Sequence, residues 1–342
     1  MGSRGNPLLG VALAALLGFA GCAPRSSNRT VVFWQFSPLT AIQPVLDRFH
    51  REHPDIDVKV EQLTWQSGRE KIVAAIAAGR PPDLAELGST FLPGLVADST
   101  LLDLTDSIPD LKQSLRGWSV AVYRGRAYAL PWMLGTRAMF VNTDLLKRAG
   151  LDPAKPPATW AEFAQAVARI DGLGGGVKGF GMNSGEREVL FKKFMPFAWG
   201  NGGSILDSAM TRSVVASPQN LEALRWYLTL KPHSLLDRQE MLDEAFTRGR
   251  VGFAISGPWM LRKLPESAPT LHFTVTLMPR PAANRGLPAS FAGAEALGIF
   301  RGSKEKAAAL TLARFLVREE NAMPLYVATG NAFPAAYAAA ED

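Results

Sequence analysis

Apolar and polar residues alternate along this chain in two rhythms that take turns. Val31-Val-Phe-Trp-Gln-Phe36 is a run of β-branched and aromatic residues and predicts a buried strand. Ile42, Val45, Leu46 and Phe49 then recur at helical spacing and stop near His53-Pro54. Ile56, Val58 and Val60 alternate with Asp57, Lys59 and Glu61, the period of a strand with one wetter face. Strand, helix and strand in about thirty residues form a βαβ unit, which calls for a parallel sheet. A second helix is expected from Ser67 to Gly79, with Ser67 and Glu70 as a capping box, Ile72, Val73 and Ile76 facing inward, and Gly79 left-handed at its end. Pro81-Pro82-Asp83 stops it, and Leu84 to Leu87 reads as a third strand.

A second α/β region begins near Met139. Thr159 and Glu162 form another capping box, and Trp160, Phe163, Ala164, Val167 and Ile170 line one helical face. Ser217-Pro218 opens a further helix, with proline at its first position. Val251 to Ser256 and Leu297 to Phe300 are strand candidates, separated by a Pro-, Gly- and Ala-rich crossover from Met278 to Ala289. Ala308, Leu312, Phe315 and Leu316 mark a last clear helix.

Composition narrows the classes of function. With 342 residues the chain can build two lobes with separate cores. A formal net charge of +6 over that length gives little steering, and no Lys/Arg-rich block points to nucleic acid. The one cysteine, Cys22, excludes an internal disulfide and a Cys-rich zinc site. It follows Arg4, an uncharged apolar run from Leu8 to Phe19, and the small residues Ala20 and Gly21, so residues 1–21 read as an export signal too short to span a bilayer. The segment is similar to a bacterial lipoprotein signal, in which Cys22 would be acylated and residues 22–29 would form a tether.

Enzyme signals are weak. Gly174-Gly-Gly-Val-Lys-Gly179 has the spacing of a dinucleotide loop but follows a helix and precedes an extended segment. No P-loop and no Gly-x-Ser-x-Gly elbow is present. His50 and His53 read as a solvated surface, not a metal site. Asp83 and Glu86 could serve as a hydrolase acid/base pair, although carboxylates at strand ends also bind hydroxyls without doing chemistry.

A series of motifs runs in order along the chain: the opening Val-Phe-Trp-Gln strand, Pro82-Asp83-Leu84, Leu101-Leu-Asp-Leu-Thr105, Tyr128-Ala-Leu-Pro131, Phe140-Val-Asn-Thr-Asp144, Leu145 to Gly150 and Pro157-Ala-Thr-Trp160. It continues through Phe246 to Trp259, Phe291-Ala-Gly-Ala-Glu-Ala-Leu-Gly298 and Thr329-Gly-Asn-Ala-Phe-Pro334. On these motifs the chain bears a resemblance to the sugar-binding family of ABC importer receptors, the group that includes maltose-binding protein. The resemblance implies an α/β, two-lobe periplasmic-binding-protein fold, each lobe a mainly parallel sheet flanked by helices, with the ligand cleft between lobes. The first lobe would comprise 30–134 and 270–315, the second 135–269 and 316–342, the latter shorter than the family pattern.

The function so implied is the non-enzymatic, cofactor-free binding component of an ABC importer. It would be monomeric, exported and lipid-anchored, and would hand a sugar or oligosaccharide to a permease. The alternatives are an exported receptor for a polyamine or phosphorylated polyol, and an envelope glycoside hydrolase. A sugar offers hydroxyls at its edge and apolar C–H faces, so its site needs planar aromatics with fixed donors and acceptors. Trp259, after Ser256-Gly257-Pro258 at a strand end, is the leading candidate, and the matching family tryptophan stacks on sugar. Trp34 and Gln35 end the first strand, and Glu86 and Ser89 end the third, where ligands gather outside open α/β sheets. Tyr128 precedes the crossover, Arg137 lies in it with five fixed donors, and Trp199 and Asn201 fall in a Gly-rich turn. Gly293 and Glu295 match the family's Gly-rich cleft segment.

Overall fold

A computed structural model describes residues 28–330 and 332–336. Cys22 and the whole export-signal segment lie outside the described residues.

The first lobe opens with β1 (Arg29–Gln35), α1 (Leu39–Glu52), β2 (Ile56–Gln62), α2 (Gly68–Ala77), β3 (Leu84–Gly88) and α3 (Leu92–Ala97). A small hairpin, β4 (Val122–Tyr123) and β5 (Arg126–Ala127), precedes the long β6 (Leu130–Thr136). The chain then crosses into a second body: β7 (Ala138–Asn142), α4 (Thr143–Arg148), α5 (Trp160–Asp171), β8 (Lys178–Asn183), α6 (Arg187–Gly200), α7 (Pro218–Thr229), β9 (Ser234–Asp237), α8 (Gln239–Thr247), β10 (Val251–Ser256), α9 (Trp259–Ser267) and β11 (Phe273–Thr276). It returns through β12 (Ala292–Ile299), α10 (Lys306–Leu316), α11 (Glu319–Thr329) and β13 (Phe333–Pro334).

Two mixed sheets result. The six-stranded sheet runs β13-β6-β12-β3-β1-β2, and the five-stranded sheet β11-β7-β10-β8-β9. Among the described strands only β1 with β2 and β3, and β8 with β9 and β10, pair in parallel. The sheets are therefore less parallel than the βαβ pattern predicts. The crossing strand β6 and the returning β12 must run against their neighbours, as must β7, which enters the second lobe after the crossing.

The lobe boundaries also differ from expectation. Phe273–Thr276 pairs with β7 in the five-stranded sheet, and Met278 is buried in the second-lobe core, so the chain returns near residues 288–292 instead of at 270. The segment after 315 belongs to the first lobe, where Ala322 and Leu325 of α11 join the core of Phe33, Phe49 and Phe315, and β13 pairs with β6. Both placements depend on long-range pairing, to which local periodicity is blind.

Several local signals hold. The Thr159–Glu162 capping box is formed, and Trp160, Phe163, Val167 and Ile170 are buried. Ser217 caps α7 with Pro218 in its first turn. Two details of α2 differ. The Ser67 hydroxyl bonds that of Thr64 at 2.9 Å instead of capping the helix, and Val73 is exposed. Gly179 sits where a Cβ would overlap the Val167 carbonyl, so the last glycine of the Gly-x-Gly-x-x-Gly pattern serves the close approach of β8 to α5.

Candidate functional site

The carboxyl ends of the first-lobe strands converge on one edge of the sheet. Along β1, Phe33 packs into the larger core and Trp34 into the smaller one beneath α2, because successive side chains point to opposite faces. Gln35, Glu86 and Glu295 continue the parity of Phe33, Leu84 and Leu297, which places all three on one face. Trp34 is a core residue here, packed in one cluster with Phe36, Leu63, Ile72 and Leu87 and approached by Lys71 Nζ at 5.0 Å.

Gln35 and Glu86 are buried polar residues. Gln35 Oε1 accepts from the Ser37 amide at 2.5 Å, while its Nε2 has no partner. Glu86 accepts from the Phe36 amide at 2.7 Å. Burial, with the nearby Glu295 charge, pushes its pKa up to about 8, despite the opposing Phe36 hydrogen bond. Burial also raises Glu295, against the pull of Lys192 and Arg137. Ser89 ties β3 to β12: its amide donates to the Ala294 carbonyl at 2.8 Å and its hydroxyl accepts from the Ala294 amide at 3.4 Å. At Gly293 a Cβ would come within 2.6 Å of the Phe291 ring and 3.0 Å of Ser89 Oγ, so glycine lets β12 pass between them.

One aromatic follows each of the first three strands: Phe36, Trp65 and Phe91. Trp65 stacks on Phe36 at 4.0 Å with the planes 11° apart, leans toward Phe91 at 6.4 Å, and remains 49 % exposed. This platform escaped the sequence reading. Its signal was a tryptophan in a polar turn, off any core spacing.

Two segments cross between the lobes and are stitched together. The Thr136 hydroxyl and the Arg137 amide both donate to the Phe291 carbonyl, at 3.0 and 3.1 Å, and the Ser290 hydroxyl donates to the Arg137 carbonyl. Arg137 Nη1 donates to the Thr136 carbonyl at 2.8 Å, its Cζ stands 4.7 Å from the centre of the Trp259 ring, and its buried Nε has no partner. Burial lowers its pKa, with Glu295 and Asp243 opposing.

The second lobe presents Trp259 at the start of α9. Its ring lies against Gly257, where a Cβ would overlap Cζ3. Its indole N–H donates to Asp243 Oδ2 at 2.9 Å. Asp243 Oδ1 accepts from the Ser256 hydroxyl at 2.8 Å and from Gln239 Nε2 at 2.6 Å. Beside them Lys193 of α6 is buried, and desolvation takes its pKa down to about 7 even though Asp243 and Glu186 favour its charge. Asp243 and Lys193 were not foreseen, because isolated charges inside helical patterns look like solvated faces.

The remaining candidates take supporting places. Trp199 lies in the last turn of α6, not in a turn of its own, and its edge meets Phe191, which in turn meets Phe291 across the crossing. Asn201 caps the end of α6, its Nδ2 donating to the Gln219 carbonyl and Glu222 at 3.0 Å each. Tyr128 packs against the smaller first-lobe core. Glu86, Glu295, Arg137 and Trp259 are the predicted residues that sense one another. Among the described residues no group of three or more His, Cys, Asp or Glu is placed to hold a metal ion.

Two α/β lobes on stitched crossing segments, with buried polar groups and half-covered aromatics where they meet, make up the candidate site. The chain belongs to the bacterial extracellular solute-binding protein family, whose model matches residues 35–323. It is similar to an ABC transporter solute-binding protein of Thermotoga lettingae bound with α-D-tagatose, with a TM-score of 0.82 at 24 % identity over 92 % of this chain and 83 % of that one. A maltose-bound protein of T. maritima gives 0.78 at 26 % identity, over 92 % and 83 %. The sn-glycerol-3-phosphate-binding periplasmic protein of Pectobacterium atrosepticum is 23 % identical over 84 % of this chain and 69 % of its own length. This protein is accordingly the exported, non-enzymatic solute-binding component of an ABC transporter.

Proposed function

We propose that the solute is a carbohydrate, held between the lobes and delivered to the transmembrane subunits of an importer by a monomer anchored through an acylated Cys22. The observation that carries this reading is a partly exposed aromatic surface on each lobe. Trp65 on its Phe36–Phe91 platform belongs to the first lobe, and Trp259 on Gly257 to the second. Flat indoles suit the C–H faces of a sugar, while Gln35, Glu86, Glu295 and Arg137 offer donors and acceptors to hydroxyls. The sugars bound by the two Thermotoga proteins support the same class.

A thermal-shift screen of mono- and oligosaccharides tests it, since a solute bound only by the native state raises the melting temperature. At least one carbohydrate is expected to do so. A screen in which none does, while a polyamine does, would replace this reading with the polyamine one.

A further inference from the structure

The polar groups of the cleft are unbalanced. Gln35 Nε2 and Arg137 Nε are buried without an acceptor. Lys193 is 3 % exposed and, among the described residues, makes no hydrogen bond or ion pair. No carboxylate of the described residues stands within ion-pair distance of Arg137, whose guanidinium rests on the Trp259 ring.

Among the nearby carboxylates, buried Glu295 favours the charge of Arg137 from beyond ion-pair distance, and the others are engaged or neutral. Asp243 serves Trp259, Ser256 and Gln239, and Glu186 accepts from Asn183 Nδ2 at 2.8 Å and the Gln239 amide at 2.7 Å. Glu86 holds the Phe36 amide and, with its pKa near 8, keeps its proton at neutral pH. The unpartnered acceptors, Asn183 Oδ1 and Gln239 Oε1, are uncharged amide oxygens. Buried donors without acceptors cost free energy unless something completes them, and an anionic group would supply the acceptors that Gln35 Nε2 and Arg137 Nε lack.

We propose that the solute bears an anionic group, a carboxylate or a phosphate on a sugar or polyol, and that Arg137 and Lys193 receive it. The inference rests on the carbohydrate reading and narrows it. A planar guanidinium matches carboxylate and phosphate oxygens in a fork. Drawn onto such a group, Arg137 leaves the Trp259 ring and uncovers it for the solute's C–H face. A neutral sugar would have to displace Arg137 from the ring with no charge to receive it. Because the Arg137 backbone is bonded to Phe291 across the crossing, the residue that takes the anion also sits in the hinge.

The test is calorimetric titration with matched pairs: D-glucuronate against D-glucose, digalacturonate against maltose, and sn-glycerol 3-phosphate against glycerol, with putrescine as a cationic arm. At least one acid is expected to bind about tenfold or more tightly than its neutral counterpart, and less tightly as salt is raised. Which acid binds separates a carboxylate from a phosphate. Arg137→Met should weaken that acid by about ten- to hundredfold and the neutral compound by clearly less. In the ligand-free protein, Lys193→Met should raise the melting temperature most on the acid side of the lysine's pKa near 7, where the buried amine is charged. Neutral sugars binding as tightly as the acids would overturn the inference and leave the carbohydrate reading intact. Binding of sn-glycerol 3-phosphate alone would keep the anion and replace the sugar with a polyol. Binding of putrescine alone, or of nothing, would overturn both, and a lower melting temperature for Lys193→Met would show that Lys193 is already paired.

Discussion

Asp243 holds the second-lobe face of the cleft, and Asp243→Ala should expose how much. Three donors converge on its carboxylate, from Trp259, Ser256 and Gln239. Gln239 is half-buried and can turn to water, so its loss counts little. Ser256 is fully buried and the indole N–H is partly so. Leaving a buried donor unpaired costs about 1–3 kcal/mol, so the two together give about 2–4 kcal/mol once partial solvation is allowed for. Removing a buried charge returns some of this, but Lys193 then loses the first of the charges that favour its protonated form. Asp243→Asn keeps one acceptor and should cost about half as much. Urea unfolding followed by tryptophan emission measures both variants, with calorimetric titration of any bound carbohydrate alongside. Affinity should fall with stability, because Trp259 is no longer held. An alanine variant within about 0.5 kcal/mol of the native protein, with unchanged affinity, would mean that Asp243 does not hold this face.

Other expectations follow from single groups. Glu86 has a native pKa near 8 against an ordinary 4.5, so the native state holds the extra proton between those values. Stability should therefore fall as pH rises from about 4.5 to 8, by at most about 1.4 kcal/mol per unit, and Glu86→Gln should flatten that fall in a pH series of melting temperatures. Gly179→Ala forces a Cβ onto the Val167 carbonyl and should destabilise by about 3 kcal/mol or more in urea unfolding, whereas Gly174→Ala, with nothing within 4 Å, carries only the strain of its positive φ. Cys22→Ser should release the protein from membranes, and intact-mass analysis of the native protein should show loss of residues 1–21 with added acyl mass.

What was legible in the sequence was local. Val251–Ser256 is bounded by the same residues in pattern and structure, and the Thr159 cap and the buried face of α5 follow from spacing alone. The placement of β11 and α11 was hidden because it depends on partners far along the chain, β7 and α1. The helix carrying Trp199 was hidden because Gly200 and the glycines after Asn201 look like a turn, although α6 runs through Pro196 to Gly200. At the site, Trp259 and Arg137 could be found as unusual residues at a strand end and in a crossover. Lys193 and Asp243 could not, since a charge inside a helix becomes exceptional only when the fold buries it.

On the proposed function a carbohydrate is gripped between indoles of the two lobes. The most direct measurement is calorimetric titration of the native protein, Trp65→Ala and Trp259→Ala with the carbohydrate that raises the melting temperature most. One solute per chain is expected, with each variant folded and weakened by about 1–3 kcal/mol in binding free energy. Folded Trp65→Ala and Trp259→Ala proteins that bind that carbohydrate as tightly as the native chain would contradict it.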